Sequence, residues 1–298
     1  MSPAFEYAAL TERWRFTDDA GPPLVGRYRD APGKPLVHFV HGTGFCGGAY
    51  WTLLRLLRDE AALLLHDVQG HGESEPGTSY IGPHRTAERA ARALAAHPLN
   101  TPGRAVIGMG HSYGGYIHAL MAAREPQRFR ALVLLDPILL PRRVLCGMRF
   151  VSARFNPLVQ RSLKRRSHWP SRAAAWAGLH QRGIFKGWPD EALECYIAHA
   201  LRENGDGSMD LRCPPWLESA LFAKPPLDTW RAVRRLQCPT LILYGAASYP
   251  FMAPMVQRAA RLNPRLRFEA MPGGHCFMHE HPQEVAQRIG SFLSDLPS

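Results

Sequence analysis

The chain has 298 residues, 46% of them hydrophobic and 20% charged, with a formal net charge of +11. That length buries one large core, or a core with an insertion, and the composition excludes a disordered or low-complexity chain. No apolar stretch approaches the ~20 residues of a membrane span, and residues 1–10 lack the basic and apolar regions of a secretion signal.

Cys46, Cys146, Cys195, Cys213, Cys238 and Cys276 show no C-x-x-C spacing, which argues against a zinc site or a disulfide framework. Reduced thiols and the missing leader give the expectation of a cytoplasmic protein. The elements then follow in order. Residues 13–17 and 24–28 read as an antiparallel opening pair. The apolar run 36–40 enters His41-Gly42-Thr43-Gly44, and 51–58 reads as a helix. The run 63–68 enters Gln69-Gly70-His71-Gly72-Glu73-Ser74, and a helix is expected over 85–96. Residues 105–109 are strand-like and lead through Gly110-His111-Ser112-Tyr113-Gly114 into a helix over 114–124. The strand 131–135 ends at Asp136-Pro137. From Pro137 to about Lys224 the alternation stops, leaving helices broken at Asn156-Pro157, Trp169-Pro170, Trp188-Pro189 and Cys213-Pro214-Pro215. It resumes with strand 239–245, helix 254–262, strand 266–271, the loop Pro272-Gly273-Gly274-His275, and a helix over 282–296. Strands alternating with helices predict a mostly parallel sheet with helices on both faces.

A G-x-S-x-G by itself is a common Gly-rich turn. Between a strand and a helix it is a nucleophile elbow: the glycines allow close approach, and the serine sits exposed on a strained turn before a helix N-terminus. With the H-G-x-G loop, the D-x-x-G-H-G-x-S segment and the late G-G-H, in that order, the chain resembles the α/β-hydrolase superfamily, of the capped esterase and lipase type. The resemblance implies an eight-stranded, mostly parallel sheet. It also implies a core over 1–139 and 226–298, with a helical cap over 140–225 inserted after strand 6.

Serine needs a neighbouring base, and His275, in the loop after the last strand, is the candidate. His41 is expected to brace its loop, and His111 and His71 to be packing or loop residues. Most relatives carry the acid after the seventh strand as Gly-x-x-Asp. Here that stretch is Gly245-Ala246-Ala247-Ser248, and no Asp or Glu lies between Asp228 and Glu269. Asp136 then becomes the expected acid, in an arrangement known in some lipases and haloalkane dehalogenases. Asp228 is the reserve, and Ser248 is at most a hydrogen-bonding neighbour. The oxyanion hole is expected from the backbone N–H groups of Tyr113 and Thr43, with Gly44 next. Ser112 argues against the aspartate-based chemistry of epoxide hydrolases and dehalogenases. Acyl transfer remains, with no metal, no cofactor and no phosphate loop indicated.

From Pro137 to Pro189 there is no acidic residue but eleven basic ones: Arg142, Arg143, Arg149, Arg154, Arg161, Lys164, Arg165, Arg166, Arg172, Arg182 and Lys186. Val144, Met148, Val151, Phe155 and Leu158 mark an apolar helical face, expected to pack on the core beneath a solvated basic side. The other reading is contact with an anionic membrane surface or an acidic substrate. No nucleic-acid motif accompanies the charge. Phe45, Trp169, Phe185, Trp188 and Cys276 are expected to line an apolar acyl pocket. The expected reaction is cofactor-independent cleavage of small-molecule carboxylic esters with apolar, medium-length or aromatic acyl groups. C–C bond hydrolysis or acyl transfer by the same three residues is the second reading, and a binding protein on the hydrolase scaffold the third. Oligomeric state is left open.

Overall fold

The computed structural model describes residues 2–296 apart from 151, 153 and 154, with Arg149 described in its backbone only. Val151, Arg154 and the Arg149 side chain therefore lie outside the described residues.

The main sheet is built from β1 (Glu12–Asp18), β2 (Gly21–Arg29), β3 (Leu36–Val40), β4 (Ala62–Asp67), β5 (Val106–His111) and β6 (Ala131–Leu135), and from two later strands past an excursion. Within the excursion lie β7 (His168–Trp169), β8 (Leu201–Glu203) and β9 (Met209–Leu211); after it come β10 (Thr240–Gly245) and β11 (Leu266–Met271). The eight-strand order is β1-β2-β4-β3-β5-β6-β10-β11. The opening pair β1 and β2 is antiparallel, as expected, and β2 is also antiparallel to β4, so β2 alone runs against the sheet. From β4 to β11 every neighbouring pair is parallel.

Successive strand side chains point to opposite faces, so a sheet covered on both sides is apolar at nearly every position. In β3, Val37 and Phe39 join one buried cluster, with Trp51, Tyr50 and Ile289, while Leu36 and Val40 join the other, with Ala90, Ile117 and Val256. Helices Pro83–Ala96, Tyr113–Arg124, Thr229–Arg235 and Met252–Leu262 cover the second face, and Trp51–Leu54 and Pro282–Ser294 the first. A helix at Pro3–Leu10 was not foreseen. It seats Tyr7 against Trp51 and His199.

Between β6 and β10 the chain forms helices Arg142–Phe150, Pro157–Leu163, Arg172–Leu179, Asp190–Ala200 and Pro215–Ala223. It also forms an antiparallel sheet in the order β7-β9-β8, which the sequence reading missed. The prolines read there as breaks are largely helix starts. Pro157 and Pro215 stand in the first turn, where a missing N–H costs nothing, and Asn156 caps the Leu158 N–H at 2.9 Å. The expected apolar face does not pack inward. Leu145 and Val159 are buried instead, while Val144, Phe155 and Leu158 stand 38%, 64% and 41% exposed. The reason is that the run is not one helix: it ends at Phe150 and restarts at Pro157, so the four- and three-residue spacing is not carried through. All six cysteines are unpaired. Among the described residues, no helix is long and apolar enough to cross a membrane.

Candidate active site

Ser112 lies between β5 and the helix Tyr113–Arg124 with φ 51 and ψ −109, a left-handed conformation that a non-glycine residue adopts only under constraint. The constraint is close packing. A Cβ on Gly114 would overlap the Val40 carbonyl, and one on Gly110 would stand 2.5 Å from the Gly114 carbonyl carbon. Strand, turn and helix therefore meet with no room for side chains, and the turn holds Ser112 at the helix N-terminus. The Ser112 N–H donates to Leu135 O at 2.9 Å, which ties the elbow to the end of β6. The next residue, Asp136, is also in the left-handed region, at φ 42.

Asp136 is fully buried. Its Oδ2 accepts from His275 Nδ1 at 2.5 Å and from Ser248 Oγ at 2.6 Å, and its Oδ1 accepts from the Gly245 N–H at 3.0 Å. Three donors on one carboxylate replace the water it has lost. A carboxylate only accepts, so the His275 proton sits on Nδ1 and Nε2 presents its lone pair. The His275 side chain is 26% exposed. Its loop is held by a close approach: a Cβ on Gly245 would overlap the Gly274 carbonyl, and the Gly274 N–H donates to Glu280 Oε1 at 3.1 Å. Ser112 Oγ makes no hydrogen bond among the described residues. The His275 ring lies 4.6 Å, centroid to centroid, from the ring of His111, the residue before Ser112.

The N–H groups of Tyr113 and Thr43 donate to no other group among the described residues. The Tyr113 N–H opens its helix, where no intrahelical acceptor exists. The Gly44 N–H is committed to His71 Nε2 at 3.0 Å, which removes Gly44 from the expected donors, since one N–H serves one acceptor. His71 Nδ1 in turn donates to Gln69 O at 2.9 Å, and burial pushes its pKa down to about 4, so the ring is neutral. His41 braces the same loop, donating from Nδ1 to Gly42 O at 2.8 Å and accepting the Val68 N–H at 3.1 Å.

The family model described as alpha/beta hydrolase matches residues 39–288. The chain belongs to the α/β hydrolase family. Human monoglyceride lipase is 33% identical over 121 residues, which cover 39% of this chain and only 40% of that protein. The abhydrolase domain-containing protein AFT2-1 of Alternaria alternata is 25% identical over 229 residues, 63% of this chain and 82% of its own. Among solved structures, E-2-(acetamidomethylene)succinate hydrolase superposes with a TM-score of 0.77 at 22% identity, over 95% of this chain and 99% of that one. An esterase of M. tuberculosis does so with 0.71 at 21%, over 97% and 95%. At such identities the two structures speak for the fold alone.

Two further expectations about this α/β hydrolase need correction. Asp228 does not reach His275; it pairs with His84 Nε2 at 2.8 Å on the surface. The expected pocket residues line no open cleft either. Phe45, Trp169, Phe185, Trp188 and Cys276 are all at most 5% exposed. Trp188 stacks on His279 at 3.9 Å and on Phe45 at 6.1 Å, and Phe185 meets Trp188 edge-on at 5.0 Å. The rings of Phe45, Phe185, Trp188 and His279 pack on one another and bind the excursion to the core. Beside them, Tyr196 donates to the Gly44 carbonyl at 3.2 Å, and Arg165 donates to Tyr196 Oη at 2.7 Å and to both Glu218 oxygens at 2.8 Å. One basic residue of the acid-free stretch is thereby neutralised against the oxyanion loop. Sequence reasoning also passed over Tyr50 and treated His111 as packing, although the two-residue period of β5 places His111 on the same face as Ile107 and Met109, where a polar ring requires partners.

Proposed function

We propose that the protein is a serine hydrolase that cleaves carboxylic esters through an acyl-enzyme on Ser112. His275 Nε2 takes the Ser112 proton as Oγ attacks the ester carbonyl. Asp136 fixes the imidazole tautomer and steadies the imidazolium. The N–H groups of Tyr113 and Thr43 receive the negative charge that forms on the carbonyl oxygen, each worth on the order of 10²–10³ in rate. The imidazolium then protonates the departing alkoxide, and a water activated by the same Nε2 releases the acid.

The observation that carries this reading is the 2.5 Å contact between His275 Nδ1 and the buried Asp136, next to the strained turn at Ser112. The likeness to monoglyceride lipase supports an ester as substrate. The preference for medium or aromatic acyl groups rested on rings that pack on one another, so it is left to a substrate panel. The same contact weakens the scaffold-protein reading, whose only support was a missing acid.

The test combines p-nitrophenyl esters of graded chain length with fluorophosphonate labelling. Ester turnover is expected, with Ser112→Ala lowering it by ~10⁶ and abolishing the label. Labelling of Ser112 without turnover of any ester would refute the ester assignment and leave C–C cleavage or acyl transfer.

A further inference from the structure

The reading above leaves unused a buried hydrogen-bond chain that joins its two halves. The Gly42 N–H, one residue before Thr43, donates to Tyr50 Oη at 3.2 Å. Tyr50 Oη lies 2.6 Å from His111 Nδ1, and His111 Nε2 lies 2.9 Å from the carbonyl oxygen of His275. Tyr50 and His111 are both fully buried.

The protons of this chain run one way. A carbonyl only accepts, so His111 carries its hydrogen on Nε2. Burial, reinforced by the neighbouring His275 and His279, holds the His111 pKa well below its ordinary 6.5, so the ring is neutral and Nδ1 is bare. Tyr50 therefore gives its hydroxyl proton to Nδ1, and its oxygen accepts from Gly42. Each donor meets one acceptor, which favours a single geometry over slack packing. A leucine or methionine in the place of His111 would continue the apolar face of Ile107 and Met109 with no partners to find. Packing alone thus gives no reason for the imidazole. The ends of the chain give one: they fall on the loop carrying the Thr43 N–H and on the backbone of His275 itself.

We propose that Tyr50 and His111 are positioning residues that hold the oxyanion loop and the base loop at a fixed spacing, so that the Thr43 N–H and His275 Nε2 address one reacting carbonyl together. The proposal rests on the serine-hydrolase reading of Ser112. Displacing one loop by a fraction of an ångström leaves substrate entry intact and spoils the transition state, so the cost falls on kcat.

Tyr50→Phe keeps the ring and deletes one oxygen. It is expected to lower kcat toward esters roughly 10- to 100-fold with KM within about threefold, after normalising to sites titrated by a fluorophosphonate. His111→Gln keeps a donor and an acceptor and is expected to retain more activity than His111→Leu. In the unmodified protein, imidazole ¹⁵N shifts are expected to show His111 neutral with its proton on Nε2; this measurement decides the point even if the variants fold poorly. A Tyr50→Phe enzyme with kcat within twofold of the parent overturns the proposal. So does an Nδ1-protonated His111, or a variant whose loss is confined to thermal stability. A parent protein that neither turns over esters nor takes the label would instead refute the hydrolase reading, with the ¹⁵N result still reporting on the chain.

Discussion

If Asp136 is the acid of this site, the acid is expected to be movable to position 248. Asp136 Oδ2 accepts from His275 Nδ1 at 2.5 Å and from Ser248 Oγ at 2.6 Å, so the Ser248 side chain already ends beside the contact that fixes the base. Ser248 is also the residue three after Gly245, where most relatives place their acid. Replacing Asp136 by Asn offers His275 an amide, reverses the favoured tautomer and is expected to cost ~10⁴ in kcat, about 5 kcal/mol of transition-state stabilisation. An aspartate at 248 projects a carboxylate about 1.5 Å beyond the serine oxygen's branch point, enough to meet Nδ1 from the other side. The double variant Asp136→Asn with Ser248→Asp is therefore expected to recover at least about 100-fold of the loss, some 2.7 kcal/mol. Ser248→Asp alone puts two carboxylates on one contact and is expected to bind a shared proton and lose activity at neutral pH. The assay is steady-state ester hydrolysis with sites titrated. An Asp136→Asn enzyme as fast as the parent would refute the acid assignment. A double variant no faster than Asp136→Asn would refute the claim that the two positions serve one point in space.

Acid lability follows from the buried histidines. Burial pushes His66 and His279 down to about 3, and His71, His118 and His199 down to about 4, against an ordinary 6.5. The unfolded chain protonates these rings first, so below pH 6.5 it binds more protons than the folded one, and stability present above that pH is lost as pH falls. Each ring contributes about 1.4 kcal/mol per pH unit, so five rings cost on the order of 7 kcal/mol one unit below 6.5. Asp67, which burial raises to about 7, works in the opposite sense and offsets about 2 kcal/mol of this. The remainder is comparable to a whole folding free energy, so the urea midpoint is expected to fall steeply below pH 6. A midpoint unchanged from pH 7.5 to pH 5 would contradict it. Val144, Phe150, Leu158 and Leu163 stand 38%, 83%, 41% and 51% exposed in the stretch that holds Arg142, Arg143, Arg161 and Lys164. Sedimentation with anionic vesicles at low ionic strength, released by salt and weakened by Phe150→Ser, is expected. Equal binding to neutral vesicles would show that the charge plays no part.

The sheet was legible because its strands are short apolar runs punctuated by glycine, and the elbow because only glycine tolerates the contact between β3, β5 and the helix. Asp136 was legible by elimination, since the stretch between Asp228 and Glu269 holds no carboxylate. Other features left no periodic trace. The strands β7, β8 and β9 have two or three residues each, below the length at which alternation shows. Counting tryptophans in residues 140–225 could not tell rings that face a cavity from rings that face each other. The partnership of Tyr50 with His111 joins residues 61 apart, and only the parity of β5 hinted that one of them turns inward.

The stacked rings hold one side of the site closed. Phe45, Trp188 and His279 form a rivet between the excursion and the core, and Tyr196 adds a second beside it. A rigid swing of that side would have to part aromatic faces and break the Tyr196 hydrogen bond to the Gly44 carbonyl at the same time. Elsewhere at the site side chains do reach solvent: that of His275 is 26% exposed, and Tyr249, whose ring stands 5.2 Å away, is 44% exposed. On the hydrolase reading, substrate is therefore expected to approach His275 past the stacked rings of Tyr249 and Phe251.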